Sequence, residues 1–79
     1  MKEELIKNIE KLHTTKLGEV RIQKNLNLSD TNVVNTIKNI ILKRECKINQ
    51  KGKNIYCETK DIILTINKNN FCIITAHKK

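Results

Sequence analysis

The sequence predicts an α+β fold, with three N-terminal helices packed on one face of a four-stranded antiparallel meander. Three observations carry that expectation. Apolar residues recur at helical spacing through residues 1–44 and at alternate positions through 45–79. The strand-like segments lie so close together that hairpins must join them. No helix-length stretch separates them, so parallel crossovers are excluded. With 79 residues, the chain reads as a single domain over 1–79. A domain of this size buries only about 60% of the surface its unfolded chain exposes.

The first helix is expected over 2–12, where Leu5, Ile6, Ile9 and Leu12 share a face. His13-Thr14-Thr15 interrupts it. Thr15 can cap a second helix over 16–26, which carries Leu17, Val20, Ile22 and Leu26. Glu19 sits near the positive end of that helix, and Gly18 weakens its first turn. Asn27-Leu28-Ser29-Asp30 reads as a turn, with Ser29 as the cap of a third helix over 30–44. Val33, Val34, Ile37, Ile40 and Ile41 form its broad apolar face, and Lys43-Arg44 lie at its negative end. Strands are expected over 46–50, 53–58, 61–66 and 71–76, joined by Lys51-Gly52, Thr59-Lys60 and Lys68-Asn69-Asn70.

Two-residue loops at the first two turns fix a register. They set Ile48 opposite Ile55, Cys46 opposite Cys57, Cys57 opposite Ile62 and Glu58 opposite Asp61. Cys46, Ile48, Ile55, Cys57, Ile62, Leu64 and Ile66 then share the face expected to receive the helices. Cys46 and Cys57 become cross-strand neighbours, close enough to oxidise if exposed. Lys47, Asn49, Asn54, Tyr56, Glu58, Ile63 and Thr65 occupy the open face. The last hairpin has two solutions. A two-residue loop puts Phe71, Ile73, Thr75 and His77 on the helix-covered face, which burial of the phenylalanine favours. A three-residue loop moves all four to the open face, pairs Asp61 with His77 and Ile63 with Thr75, and relieves the Glu58–Asp61 repulsion.

Sixteen Lys+Arg against eight Asp+Glu give a formal net charge of +8, suited to RNA, DNA or an acidic protein partner. The bland explanation is compositional. Lys, Asn and Ile make up 14, 11 and 13 residues, as an AT-rich coding bias would produce, and residues 1–44 and 45–79 each carry +4. Only Arg21 and Arg44 are arginines, the better fork for phosphate. No apolar run reaches membrane-spanning length, and the charged start MKEELIKNIEKL lacks an apolar signal core, so a cytoplasmic protein without membrane association is expected. Cys46, Cys57 and Cys72 are not at metal-ligand spacing; no metal or other cofactor is expected, and buried reduced thiols are the default.

Three function classes fit these features. The first is RNA binding, with metal-independent cleavage as its extension. Cleavage needs a base for the 2′-hydroxyl proton, an acid for the leaving 5′-oxygen and cations for the phosphorane. His77, Glu58 and His13 are the candidates for proton transfer. Arg21, Lys47, Lys53, Asn54, Tyr56, Thr65 and Thr75 are the candidates for nucleic-acid contact, with Tyr56 as a stacking platform. Each also has a plainer role: His77 as a strand end, His13 as a turn, Arg21 as a solvated helix side chain, Glu58 as a hairpin-flanking charge. The second class is a winged-helix DNA binder, in which RIQKNLNLSDTNVVNTIKNIILKR precedes a basic hairpin at Lys51-Gly52-Lys53. Against it stand Asp30 and the lack of a base-reading arginine at the recognition-helix start. The third is a non-catalytic module, a homodimer or the small partner of a larger protein, which a marginal core and an exposed Ile63 would suit.

Taken in order, LHTTKLGEVRIQKNLNL, GKNIYC, ILTIN and IITAHK resemble a family of small bacterial proteins known only as a domain of unknown function, over essentially the whole chain. The resemblance implies no activity. It draws attention to His13, Gly18, Arg21, Asn25, Gly52, Lys53, Asn54, Tyr56, Thr65, Asn67, Thr75 and His77. Where members of that family often carry an aromatic after Asn54 and a hydroxyl before Ile73, this chain has Ile55 and Cys72. Helices followed by a meander ending in Ile-x-Thr-x-His are also similar to the barnase/RelE-like ribonuclease and toxin group, an analogy of architecture.

Overall fold

The structure, a computed structural model, describes residues 2–28 and 32–79. It contains three α-helices, α1 (Lys2–Lys7), α2 (Lys16–Asn25) and α3 (Val33–Ile41), and a 3-10 turn at Ile9–Lys11. Four strands follow, β1 (Lys47–Lys51), β2 (Asn54–Glu58), β3 (Ile62–Asn67) and β4 (Ile73–Lys78). They pair antiparallel in sequence order. Apolar side chains from the helices (Leu5, Ile22, Leu26, Val33, Ile37, Ile40, Ile41) and from alternate strand positions (Ile55, Cys57, Leu64, Ile66, Ile73, Ala76) form one buried cluster.

The helix ends depart from expectation for local reasons. The single helix expected over 2–12 breaks at Asn8, whose side-chain amide donates to the Glu4 carbonyl at 2.8 Å and competes with the helical ladder. Thr15 caps α2 as anticipated, accepting from the Gly18 N–H at 3.0 Å. Ser29, expected to cap α3, lies outside the described residues together with Asp30 and Thr31. Asn32 takes the cap, its side chain accepting from the Asn35 N–H at 3.1 Å. α3 stops at Ile41 rather than 44, because the Lys43 N–H reaches back only to Ile40 and the chain tightens toward the sheet.

Each strand begins one or two residues later than expected, and both of the first two registers slip by two. Ile48 faces Cys57 rather than Ile55; Cys57 faces Leu64 rather than Ile62; Glu58 faces Ile63 rather than Asp61. Cys46 precedes β1 and is not directly opposite Cys57, and both thiols are buried. The turns move accordingly. Gly52 takes the first central position between Lys51 and Asn54 with φ of 60°, where a glycine-first hairpin turn needs a positive value. Lys60-Asp61 forms the second turn, held by the Thr59 N–H to the Ile62 carbonyl at 2.9 Å and by the Thr59 hydroxyl accepting from Ile62 N–H at 3.1 Å. A slip of two leaves every side chain on its expected face, since strand side chains alternate with period two.

The last hairpin takes neither expected register whole. Ile66 pairs with Ile73 but Thr65 pairs with Thr75, so Ile74 is an extra residue in a β-bulge and stands 49% exposed. Ile73 and Ala76 are therefore buried with the core, whereas Thr75 and His77 lie opposite Thr65 and Ile63 on the polar face. The preference for a helix-covered Thr75 and His77 is overturned, and the Asp61–His77 and Ile63–Thr75 pairings are replaced. Phe71 belongs to the loop before β4, half-buried against the core, with a left-handed φ of 57°. For a bulky residue that conformation costs roughly 1–3 kcal/mol. The loop holds it in place: the Phe71 N–H donates to Asn67 at 2.8 Å, and the Asn67 side chain accepts from the Asn69 N–H at 2.8 Å.

Residues 13–25 dress the outer edge of β4. His13 bridges Cys72 in parallel, accepting from the Ile73 N–H at 2.7 Å, while the Thr14 hydroxyl and the Asn25 amide donate to the carbonyls of Ile73 and Ala76. β1 forms the other edge, with Lys47 and Lys51 at its two ends.

Two stability predictions follow from α2. Ile22 is fully buried and Leu17 is 60% exposed. In urea unfolding, Ile22→Ala costs about 2–5 kcal/mol, whereas Leu17→Ala stays within about 0.5 kcal/mol. Gly18 packs so closely on Thr14 that an added Cβ would meet its hydroxyl oxygen at 2.5 Å. Yielding would break the Thr14–Ile73 hydrogen bond and strand a part-buried carbonyl. Gly18→Ala is therefore destabilising by about 1 kcal/mol despite alanine's better helix propensity. In a Thr14→Ala background the same change costs less, since only the 3.1 Å approach to the Thr15 cap oxygen remains, a coupling that a double-mutant cycle measures.

Candidate nucleic-acid interface

The register assembles the polar face of the sheet in rows. Lys47, Glu58, Ile63 and His77 lie side by side across the four strands, and Asn49, Tyr56, Thr65 and Thr75 form the next row. Lys51, Asn54 and Asn67 make a third, shorter row. Tyr56 is half-buried at the centre, its phenol oxygen accepting from the Asn54 amide at 3.4 Å. Lys47, Asn49, Tyr56, Glu58 and Ile63 line a depression of about 240 Å³ there.

An antiparallel meander also brings the start of β1, the end of β2, the start of β3 and the end of β4 to one end of the sheet. At that end the Tyr56 depression adjoins a second of about 300 Å³, which shares Lys47 and Glu58 with it and adds Glu45, Thr59, Lys60 and Lys79. A third, of about 490 Å³, shares Lys60 and Lys79 and adds Asp61, Ile62 and Lys78. Beyond Glu45 a shallow basin of about 480 Å³ is walled by Lys43 and Arg44. Six cations and three carboxylates border this connected surface.

Of the residues expected to contact nucleic acid, Lys47, Asn54, Tyr56, Thr65 and Thr75 do converge on one face. Lys53 lies in the turn at the far end of the sheet, where its carbonyl accepts from the Lys68 N–H at 2.8 Å. Arg21 is exposed on α2, apart from these rows. The three proton-transfer candidates are not brought together. His13 is at the outer edge of β4, its Nδ1 2.9 Å from the Lys11 carbonyl. Glu58 and His77 share a row, but Ile63 stands between them, a separation of two strand spacings or about 10 Å. Glu58 is engaged by Lys79, with Nζ 2.8 Å from Oε1. That hydrogen bond and the charge of Lys79, with Lys47 adding to them, hold the Glu58 carboxyl below its ordinary value of 4.5.

Lys60, Lys78 and Lys79 were missed as site residues because their grouping appears only once the strand ends are aligned. A signal for it existed: Lys47, Lys60 and Lys78-Lys79 all fall at strand boundaries that a meander places together. Among the described residues no group of His, Cys, Asp and Glu is arranged to hold a metal ion, and no helix is long and apolar enough to cross a membrane.

A family model described as "Protein of unknown function (DUF3781)" matches residues 6–77. The chain belongs to this family. The resemblance carried by its LHTT, GKNIYC, ILTIN and IITAHK blocks is thus borne out over nearly the whole chain. No curated protein and no solved structure matches it, and the likeness to barnase/RelE-like folds gains no support.

The Glu58–Lys79 pair sets a sign for pH dependence. A carboxyl depressed in the folded state stabilises fully above its unfolded value and loses that contribution as pH falls through the folded one. In a carboxylate titration followed by NMR, Glu58 titrates below 4.5 and Lys79→Gln raises it toward that value.

Proposed function

We propose that this chain binds single-stranded RNA across the polar face of its sheet, without cleaving it, and that the three helices cover the opposite face of a single domain. The observation that carries this reading is the continuity of the Tyr56 depression with the lysine-bordered end of the sheet. A base can stack on the half-buried phenol ring while its phosphates run toward Lys47, Lys60 and Lys79. Asn49, Asn54 and Thr75 surround the ring with groups suited to base edges and 2′-hydroxyls, whereas Thr65 beneath them is buried. A splayed single strand fits a broad sheet, whereas duplex readout needs a helix or ribbon free to enter a groove, and α3 commits Val33, Ile37, Ile40 and Ile41 to the core. Binding without cleavage accords with the spacing of Glu58 and His77 and with a carboxylate already held by Lys79. We place the protein in the cytoplasm with reduced thiols.

A second reading, self-association, draws on Leu17 and Val20, which stand 60% and 57% exposed one turn apart on α2. Fluorescence anisotropy with a labelled single-stranded oligoribonucleotide, together with light scattering, separates the two. The RNA reading expects binding at 50 mM salt that falls steeply by 200 mM, with the oligonucleotide recovered intact in EDTA. Tyr56→Ala weakens it by about 1–3 kcal/mol at unchanged salt slope. Lys47→Gln with Lys60→Gln lowers the slope by about 1.4. Salt-independent binding, or none at 50 mM in a protein that scatters as a dimer, overturns it in favour of assembly.

A further inference from the structure

We propose that the recess between α1 and the β3–β4 loop binds a small zwitterion with an apolar body, such as a free α-amino acid of leucine or phenylalanine size. The recess has a volume of about 250 Å³ and is lined by Glu4, Leu5, Asn8, Ile55, Lys68 and Phe71. That is just below the range of about 300–1,000 Å³ usual for larger ligands, so the occupant is small. Leu5 and Ile55, 1% and 2% exposed, supply an apolar floor.

Phe71 is placed against this recess by a backbone conformation that a bulky residue rarely adopts. Its N–H and carbonyl are both committed, to Asn67 and His13, and the Lys11 ammonium lies 5.9 Å from the ring centroid. A strained aromatic fixed from several sides at the wall of a recess is the kind of outlier that accompanies ligand sites. Two separate elements supply charges of opposite sign: Glu4 from α1 and Lys68 from the loop after β3. Among the described residues neither is in an ion pair. Glu4 can take an ammonium and Lys68 a carboxylate, while the apolar side chain carried on the same carbon as both groups can lie over Leu5, Ile55 and Phe71. A purely anionic or cationic ligand would meet one like charge, and an uncharged one would leave both unanswered. The recess is independent of the RNA surface. It adjoins Ile55, on the face opposite Tyr56, at the end of the sheet away from Lys60 and Lys79.

Titration of the full-length, 15N-labelled protein in two-dimensional amide NMR tests this. L-leucine is compared with 4-methylpentanoate, which lacks the amine, and isopentylamine, which lacks the carboxylate. The expected result is saturable movement of the Asn8, Lys68 and Phe71 amides by L-leucine, with both analogues weaker by about tenfold or more. Glu4→Gln and Lys68→Gln, both at exposed side chains, each weaken L-leucine by a similar factor while the rest of the spectrum keeps its dispersion. Absence of saturable shifts with L-leucine and with L-phenylalanine up to about 10 mM overturns the proposal. So does equal binding of either analogue, or parent-like binding by either variant.

Discussion

The burial of one face of the meander is the constraint on which everything else in this molecule rests. Ile55, Cys57, Leu64, Ile66, Ile73 and Ala76 are inward positions of β2, β3 and β4, spaced two apart except across the Ile74 bulge, and all six are at most 2% exposed. A fully buried isoleucine or leucine contributes about 1.5–3 kcal/mol, so in so short a chain few such positions can be given up. Because the sheet's period is two, fixing these six also fixes their neighbours outward. Tyr56, Thr65, Thr75 and the Lys47–Glu58–Ile63–His77 row are polar-face residues as a corollary of the core.

That corollary explains which parts of the molecule the sequence made legible. Element types, their order and the face of nearly every strand residue could be read from periodicity, and strand starts misjudged by a residue did no harm to the faces. The reason is arithmetic: the turn positions at Gly52 and Asp61 each shifted the pairing by an even number. The bulge at Ile74 could not be read, because it satisfies two competing demands at once. It keeps Ile73 inside and turns Thr75 and His77 outward, and either regular register would have sacrificed one of these. Asn8 was also opaque. Its break in the first helix depends on a side-chain hydrogen bond to Glu4, and alternative placements of an asparagine look identical in a one-dimensional pattern.

The charge distribution holds the corresponding lesson for the candidate site. Along the sequence the basic excess is even, +4 on either side of residue 44, and so looks like compositional background. Folding makes it uneven, since strand boundaries far apart in sequence meet at one end of a meander. Lys47, Lys60 and Lys79 gather there around Glu58. Arg21 and Lys53, equally eligible on composition, are carried elsewhere by α2 and by the first turn. Glu58 itself illustrates how context reassigns a residue: a nominal proton acceptor becomes the counter-ion of Lys79.

The two margins of the sheet are managed in opposite ways. The β4 margin is occupied by His13, Thr14 and Asn25, while β1 ends the sheet with Lys47 and Lys51 flanking Asn49. Were a second molecule to lay its β1 antiparallel along the first, centred on Asn49, every Lys47 would confront a Lys51 across the seam, twice in each pair. Directly opposed ammonium groups disfavour such a ladder. The bare rim of the sheet thereby repels its own likeness and discourages runaway strand-to-strand stacking.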